Sequence, residues 1–162
     1  MDSFLWVLFN VNNCKLNRSI LQTFRAHDRS HPQSEKIYAE SKKISQEIID
    51  HGYEYDPSWI TKPIDENETT ESILCGHSER LAIAWNFVID SHAKQIQLTK
   101  NLRICGDCRK LFFYFAVENY KWFIDAVTKL IAAICQCEII VRDAHKFHHF
   151  YTTGQCSCNN HF

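Results

Sequence analysis

The chain has 162 residues, 45% hydrophobic, 13% aromatic and 23% charged. That is enough apolar surface for one packed domain and too much for a disordered chain. Lys plus Arg is 18 and Asp plus Glu is 19, a formal charge of −1, which excludes a histone-like basic protein while leaving room for a local basic face. The counts that stand out are 8 Cys and 9 His.

Residues 1–26 are poorly patterned and read as an unassigned N-terminal stump, with Phe4 to Phe9 as a short apolar strand. The run lacks a basic n-region and a small-residue cleavage site, so it is not a secretory signal or a clear targeting peptide. No apolar run approaches the ~18 to 20 residues that span a bilayer, so no membrane partner is expected. A helix is expected from Ser30 as cap and Pro32 in its first turn, carried by Ile37, Tyr38, Ile44, Ile48 and Ile49 and stopped at Gly52. From Tyr53 to Thr70, Pro57, Pro63 and the acidic run Asp65 to Glu68 predict a surface connection. Glu71 to Ile89 predicts one helix burying Leu81, Ala82, Ala84, Trp85 and Val88. Short strands follow at Gln95 to Leu98 and Leu102 to Ile104, with a helix opening at Cys105. Ala126 to Cys135 is helical again and Glu138 to Arg142 is a strand. Alternating helices and strands predict an α/β fold, a central sheet with flanking helices.

Four of the cysteines form tight pairs, Cys105/Cys108 and Cys156/Cys158. With no secretory signal, metal binding in a reducing compartment is favoured over a disulfide framework. Cys14, Cys75, Cys135 and Cys137 are then ordinary buried or free thiols. His77-Ser78-Glu79 precedes Cys105-Gly106-Asp107-Cys108 by 25 residues, the pattern of zinc-dependent nucleobase deaminases. One imidazole and two thiolates hold Zn²⁺ and leave a fourth position for water, whose pKa the metal lowers. Glu79 is then the proton shuttle rather than a ligand. The rival reading is a closed structural zinc knuckle, with Cys75 or His92 as fourth ligand. Ser78 is expected on the helix surface and Trp85 in the core. At the C-terminus His145, His148, His149, Cys156, Cys158 and His161 form a second cluster. A CxC eight residues after His148 suits a structural zinc that pins the tail to the domain.

Several segments together resemble the DYW domain of plant pentatricopeptide-repeat proteins. They are Arg29-Ser30-His31-Pro32-Gln33-Ser34, His77 to Ala84, Lys100 to Cys108, Ile139 to Asp143, Phe147-His148-His149-Phe150 and Gly154 to Cys158. The match runs in order from residue 27 to 162. The resemblance implies a cytidine deaminase-like fold that converts cytidine to uridine in single-stranded organellar RNA, in a mitochondrion or plastid. It implies two Zn²⁺ ions: a catalytic one on His77, Cys105 and Cys108, with Glu79 moving protons, and a second on His148, Cys156 and Cys158. Targets in the family are selected by an upstream repeat tract, which a separate pentatricopeptide-repeat protein could supply. The chain departs from the family pattern in four places. It ends Asn160-His161-Phe162 rather than Asp-Tyr-Trp. It has Arg109 where a histidine usually follows the CxxC, leaving His149 or His145 as substitute ligands. An aromatic insertion occupies about 109–124, and the segment before residue 27 differs, as in a truncated reading frame. These departures keep an alternative in play, a catalytically silent, zinc-stabilised module that binds RNA or a partner.

Overall fold

A computed structural model describes residues 4–10, 19–55, 69–101 and 127–157. Strands β1 (Phe4–Asn10) and β2 (Ser19–Arg25) precede α1 (Ser34–Asp50), α2 (Thr70–Cys75) and α3 (Ser78–Ile89). Then come β3 (Gln95–Lys100), a helix α4 (Val127–Ile134), β4 (Glu138–Arg142) and β5 (Phe147–Phe150). The five strands form one sheet in the order β2-β1-β3-β4-β5. β3 and β4 are parallel, joined through α4, and the other neighbours are antiparallel. The expected α/β architecture is therefore present. β1 falls on the short strand expected at Phe4 to Phe9, whereas β2 comes from residues given no element, and β1 pairs directly with β3, Leu5 opposite Lys100 and Val7 opposite Leu98.

Alternation sets which way the strands face. Ile96, Leu98 and Lys100 of β3 are buried, as are Ile139 and Val141 of β4 and His148 and Phe150 of β5. α3 packs on β1, β2 and β3, α4 packs on β4 and β5, and α1 lies against both helices. α1 buries Ile37, Ser41, Ile44, Ser45 and Ile48, a stripe at helical spacing. α3 is buried on every side from Ser78 to Phe87, as a central helix must be when it has the sheet beneath it and α1 above it. No described helix is long and apolar enough to cross a membrane.

Three local expectations need correction. α1 begins at Ser34 after Gln33, not at Ser30 and Pro32. Instead the Ser30 N–H donates to Asp28 Oδ1 at 2.8 Å, and the Gln33 N–H to His31 Nδ1 at 3.0 Å. These local side-chain acceptors hold a turn where a helical start was expected. The His31 ring stacks on Phe24 with centroids 5.8 Å apart and meets the edge of Trp85 at 6.1 Å. The single helix expected from Glu71 to Ile89 is two. α2 starts at a reciprocal cap between Thr69 and Ser72 and ends at Gly76, and α3 restarts after His77. Gly76 is required there because a Cβ would come within 2.3 Å of the His27 ring, and the His27 N–H donates to the Gly76 carbonyl at 2.7 Å. The third correction is Ser78, which is 1% exposed rather than on the surface. Trp85 is in the core, as expected. The strand expected at Leu102 to Ile104, the helix at Cys105 and the 109–124 insertion lie outside the described residues.

Candidate functional site

The break between α2 and α3 places a histidine and a carboxylate at one helix start. His77 is the N-cap of α3, and its carbonyl accepts the Leu81 N–H at 3.0 Å. Glu79 lies in the first helical turn, where the exposed N–H groups and the helix dipole favour negative charge. Its side chain is buried, and both carboxylate oxygens are engaged. Ser78 Oγ donates to Oε2 at 3.0 Å, and Lys100 Nζ donates to Oε1 at 2.5 Å. Lys100 reaches it because β3 turns that residue inward with Ile96 and Leu98, leaving the lysine 7% exposed and the glutamate 2%. Burial pushes the Glu79 carboxyl up. The Lys100 ammonium and its hydrogen bond, together with His77, more than offset this and hold it below its ordinary value. The result is an ionised, oriented carboxylate in a dry site, two residues after a potential metal ligand.

Beside it lies a second polar cluster that the sequence did not reveal. Arg80 is 2% exposed and donates to Ser45 Oγ at 2.6 Å and to Tyr55 Oη at 3.0 Å. The Cys75 thiol lies 3.8 Å from the same guanidinium nitrogen and against Ser45 Oγ. Cys75, one possible fourth ligand of a zinc knuckle, is thus occupied by the α1 side of the core. His92, the other, is exposed on the turn before β3.

At the C-terminal cluster, His148 is 1% exposed on β5, stacked over Phe150 with centroids 6.1 Å apart. Its Nε2 lies 3.3 Å from Asp143 Oδ2. Cys156 is buried and bridges Phe150 across a backbone pair. Neighbouring residues of a strand face opposite ways, so His149 points to the other side, where its Nε2 is 3.2 Å from Glu138. His145 is exposed in the loop before β5.

Of the seven residues expected to carry the chemistry, His77, Glu79, His148 and Cys156 are described, whereas Cys105, Cys108 and Cys158 lie outside the described residues. Among the described residues no three His, Cys, Asp or Glu side chains converge as a metal site. The described part of each set nevertheless fits zinc. An imidazole stands at a helix start beside an ionised buried carboxylate, and a buried imidazole is backed by a carboxylate with a cysteine on the adjoining segment. Sequence alternation could have exposed Lys100, since it shares its strand face with Ile96 and Leu98. Arg80 and Asp143 carry no such signal.

The family model of the "DYW family of nucleic acid deaminases" matches residues 52–125 and 122–162. The pentatricopeptide repeat-containing protein At2g27610 of Arabidopsis thaliana is 41% identical over 138 residues, which is 85% of this chain and 14% of that protein. The pentatricopeptide repeat-containing protein ELI1, chloroplastic, of the same plant is 38% identical over 137 residues, 85% of this chain and 19% of that protein. A third, At3g57430, chloroplastic, is 37% identical over 139 residues, 86% of this chain and 14% of that protein. The chain thus spans less than a fifth of the length of these curated relatives.

Proposed function

We propose, from the premise that this chain belongs to the DYW family of nucleic acid deaminases, that it converts cytidine to uridine in single-stranded organellar RNA. The observation that carries the reading is the Glu79 carboxylate, buried, held by Lys100 and Ser78, and set two residues beyond His77. His77, Cys105 and Cys108 would hold the catalytic zinc. Zinc held there supplies an acidified water near neutral pH.

The chain's own residues do the rest. Glu79 takes one proton from the nucleophilic water and gives it to the ring nitrogen, then takes the second from the hydroxyl added at C4 and gives it to the amine, which leaves as ammonia. Lys100 keeps that carboxylate charged until the proton arrives, and Ser78 fixes its rotation. Burial of Glu79 and Lys100 strengthens each of these interactions relative to water. His148, Cys156 and Cys158 would hold the second zinc and pin the tail. With a net charge of −1, the domain alone has little affinity for phosphates. Target selection therefore falls to a pentatricopeptide tract, in the same chain or in a separate protein. The names of two relatives, ELI1 and At3g57430, include "chloroplastic", which supports a plastid or mitochondrial setting.

The test is to fuse the full chain to a repeat tract of known target and score C-to-U conversion in that RNA. Conversion by the wild type and its loss in Glu79→Ala, at unchanged zinc content, is the expected result. No conversion from a zinc-loaded wild type would overturn the reading and leave the silent zinc-stabilised module.

A further inference from the structure

The loop between β4 and β5 is closed by one side chain. Asp143 Oδ1 accepts the backbone N–H groups of His145 and Lys146, both at 2.8 Å. The Asp143 N–H donates to the Lys146 carbonyl at 2.9 Å. The carboxylate is thereby fixed, and its other oxygen faces His148 Nε2. Oδ1 accepts two backbone N–H groups, so the side chain serves as a hydrogen-bond acceptor, and Oδ2 presents the same acceptor character to the ring. The ring nitrogen facing it must therefore carry the proton, and the lone pair of a neutral imidazole is then on Nδ1.

We propose that Asp143 is the positioning residue of the second zinc, holding His148 in the tautomer that ligates through Nδ1. The inference rests on the reading that His148, Cys156 and Cys158 hold that ion. Two features favour it over a histidine that merely fills the core. The carboxylate is itself locked by the loop, so it dictates the ring orientation rather than following it. Cys156 sits opposite Phe150, two residues along β5 from His148 and on the same inward side. Carboxylates behind ligating histidines raise ligand basicity, and their loss costs about 10- to 100-fold in metal affinity.

The test is a competition titration of the purified full chain against a chromophoric zinc chelator. Wild type is expected to bind two zinc and His148→Ala one. Asp143→Asn keeps a carbonyl oxygen for the two loop N–H groups but offers an amide donor to Nε2. The ring proton is driven to Nδ1 and the ligating lone pair is lost. The second zinc should weaken about 100-fold while the first is unchanged. Asp143→Ser, whose hydroxyl can cap the loop without reaching the ring, should weaken it less, about 10-fold. If Asp143→Asn binds the second zinc as tightly as wild type while His148→Ala loses it, the role of Asp143 is overturned and the zinc site stands. If His148→Ala binds as many zinc ions as wild type, the reading beneath it falls too. Should the Asn variant not fold, wild-type affinity in the Ser variant overturns the inference equally.

Discussion

Replacing Lys100 with Met keeps the apolar stem of the side chain and removes the ammonium, with its charge and its hydrogen bond to Glu79. Glu79 is then a buried carboxylate without its cation, in a pocket where 2% of its surface meets solvent. It will take up a proton rather than stay ionised. Neutralising a carboxyl of ordinary value 4.5 at pH 7 costs about 3.4 kcal/mol, at about 1.36 kcal/mol per pH unit. That matches the roughly 3 to 5 kcal/mol expected for breaking a buried ion pair by removing one partner. For a domain of this size it lowers Tm by about 6 to 20 °C. The sign of the pH dependence follows from the two folded-state values. In wild type the carboxyl is held below 4.5, so its stabilisation is present above 4.5 and lost as the pH falls through the folded value. In Lys100→Met burial, the largest influence, is opposed only by His77 and a backbone hydrogen bond, and it raises the carboxyl. Stability is then full below 4.5 and lost as the pH rises. The gap between the proteins should therefore shrink from about 3 kcal/mol at pH 7 to about 1 kcal/mol at pH 5. Urea unfolding followed by tryptophan fluorescence, at one fixed zinc activity, measures it. Adding Glu79→Gln to Lys100→Met should recover most of the loss at pH 7. A cost below about 1 kcal/mol at pH 7, or one that does not change with pH, refutes the argument.

Three further outcomes follow from the same core. Arg80→Lys removes the guanidinium nitrogen that donates to both Ser45 and Tyr55 and replaces it with a shorter reach, and should cost about 1 to 3 kcal/mol in urea unfolding. Tyr55 is pushed up to about 12 by burial and by the neighbouring Cys75, with Arg80 opposing. Its stabilisation is full below 10 and lost as the pH rises towards 12, because the unfolded chain ionises first. Phenolate absorbance should lose a late-titrating tyrosine in Tyr55→Phe. The Cys137 thiol, fully buried and pushed up to about 12, should resist alkylation at pH 8 until denaturant is added, whereas early labelling would contradict its burial.

The sequence showed elements whose signal is local and left obscure those fixed by distant partners. β4 and α4 were legible from Glu138 to Arg142 and from Ala126 to Cys135 because each is an uninterrupted apolar segment with its own period. The α1 stripe was legible for the same reason, although its start was not, since Asp28 and His31 capture the N–H groups that a cap would serve. α2 and α3 read as one helix because Gly76 is a break only when His27, far back in the chain, lies against it. β5 was read as a histidine cluster, its strand character hidden by ligand-like residues. The two candidate zinc motifs were visible as spacing. Lys100 and Asp143, which hold Glu79 and His148, were not, because a charge on a strand or in a turn reads as solvated unless its partner is known.

The position of β1 has a consequence for any shortened form of the protein. β1 lies between β2 and β3, so it closes one flank of the strand that carries Lys100. A version starting at residue 27, where the family resemblance begins, would leave β3 with a row of unpaired N–H and C=O groups, an open template for aggregation. The pairing of Leu5 with Lys100 also joins residues far apart in the chain, a connection that slows folding. The N-terminal hairpin that resembled nothing therefore moves the open edge of the sheet away from the strand that carries Lys100 and out to β2.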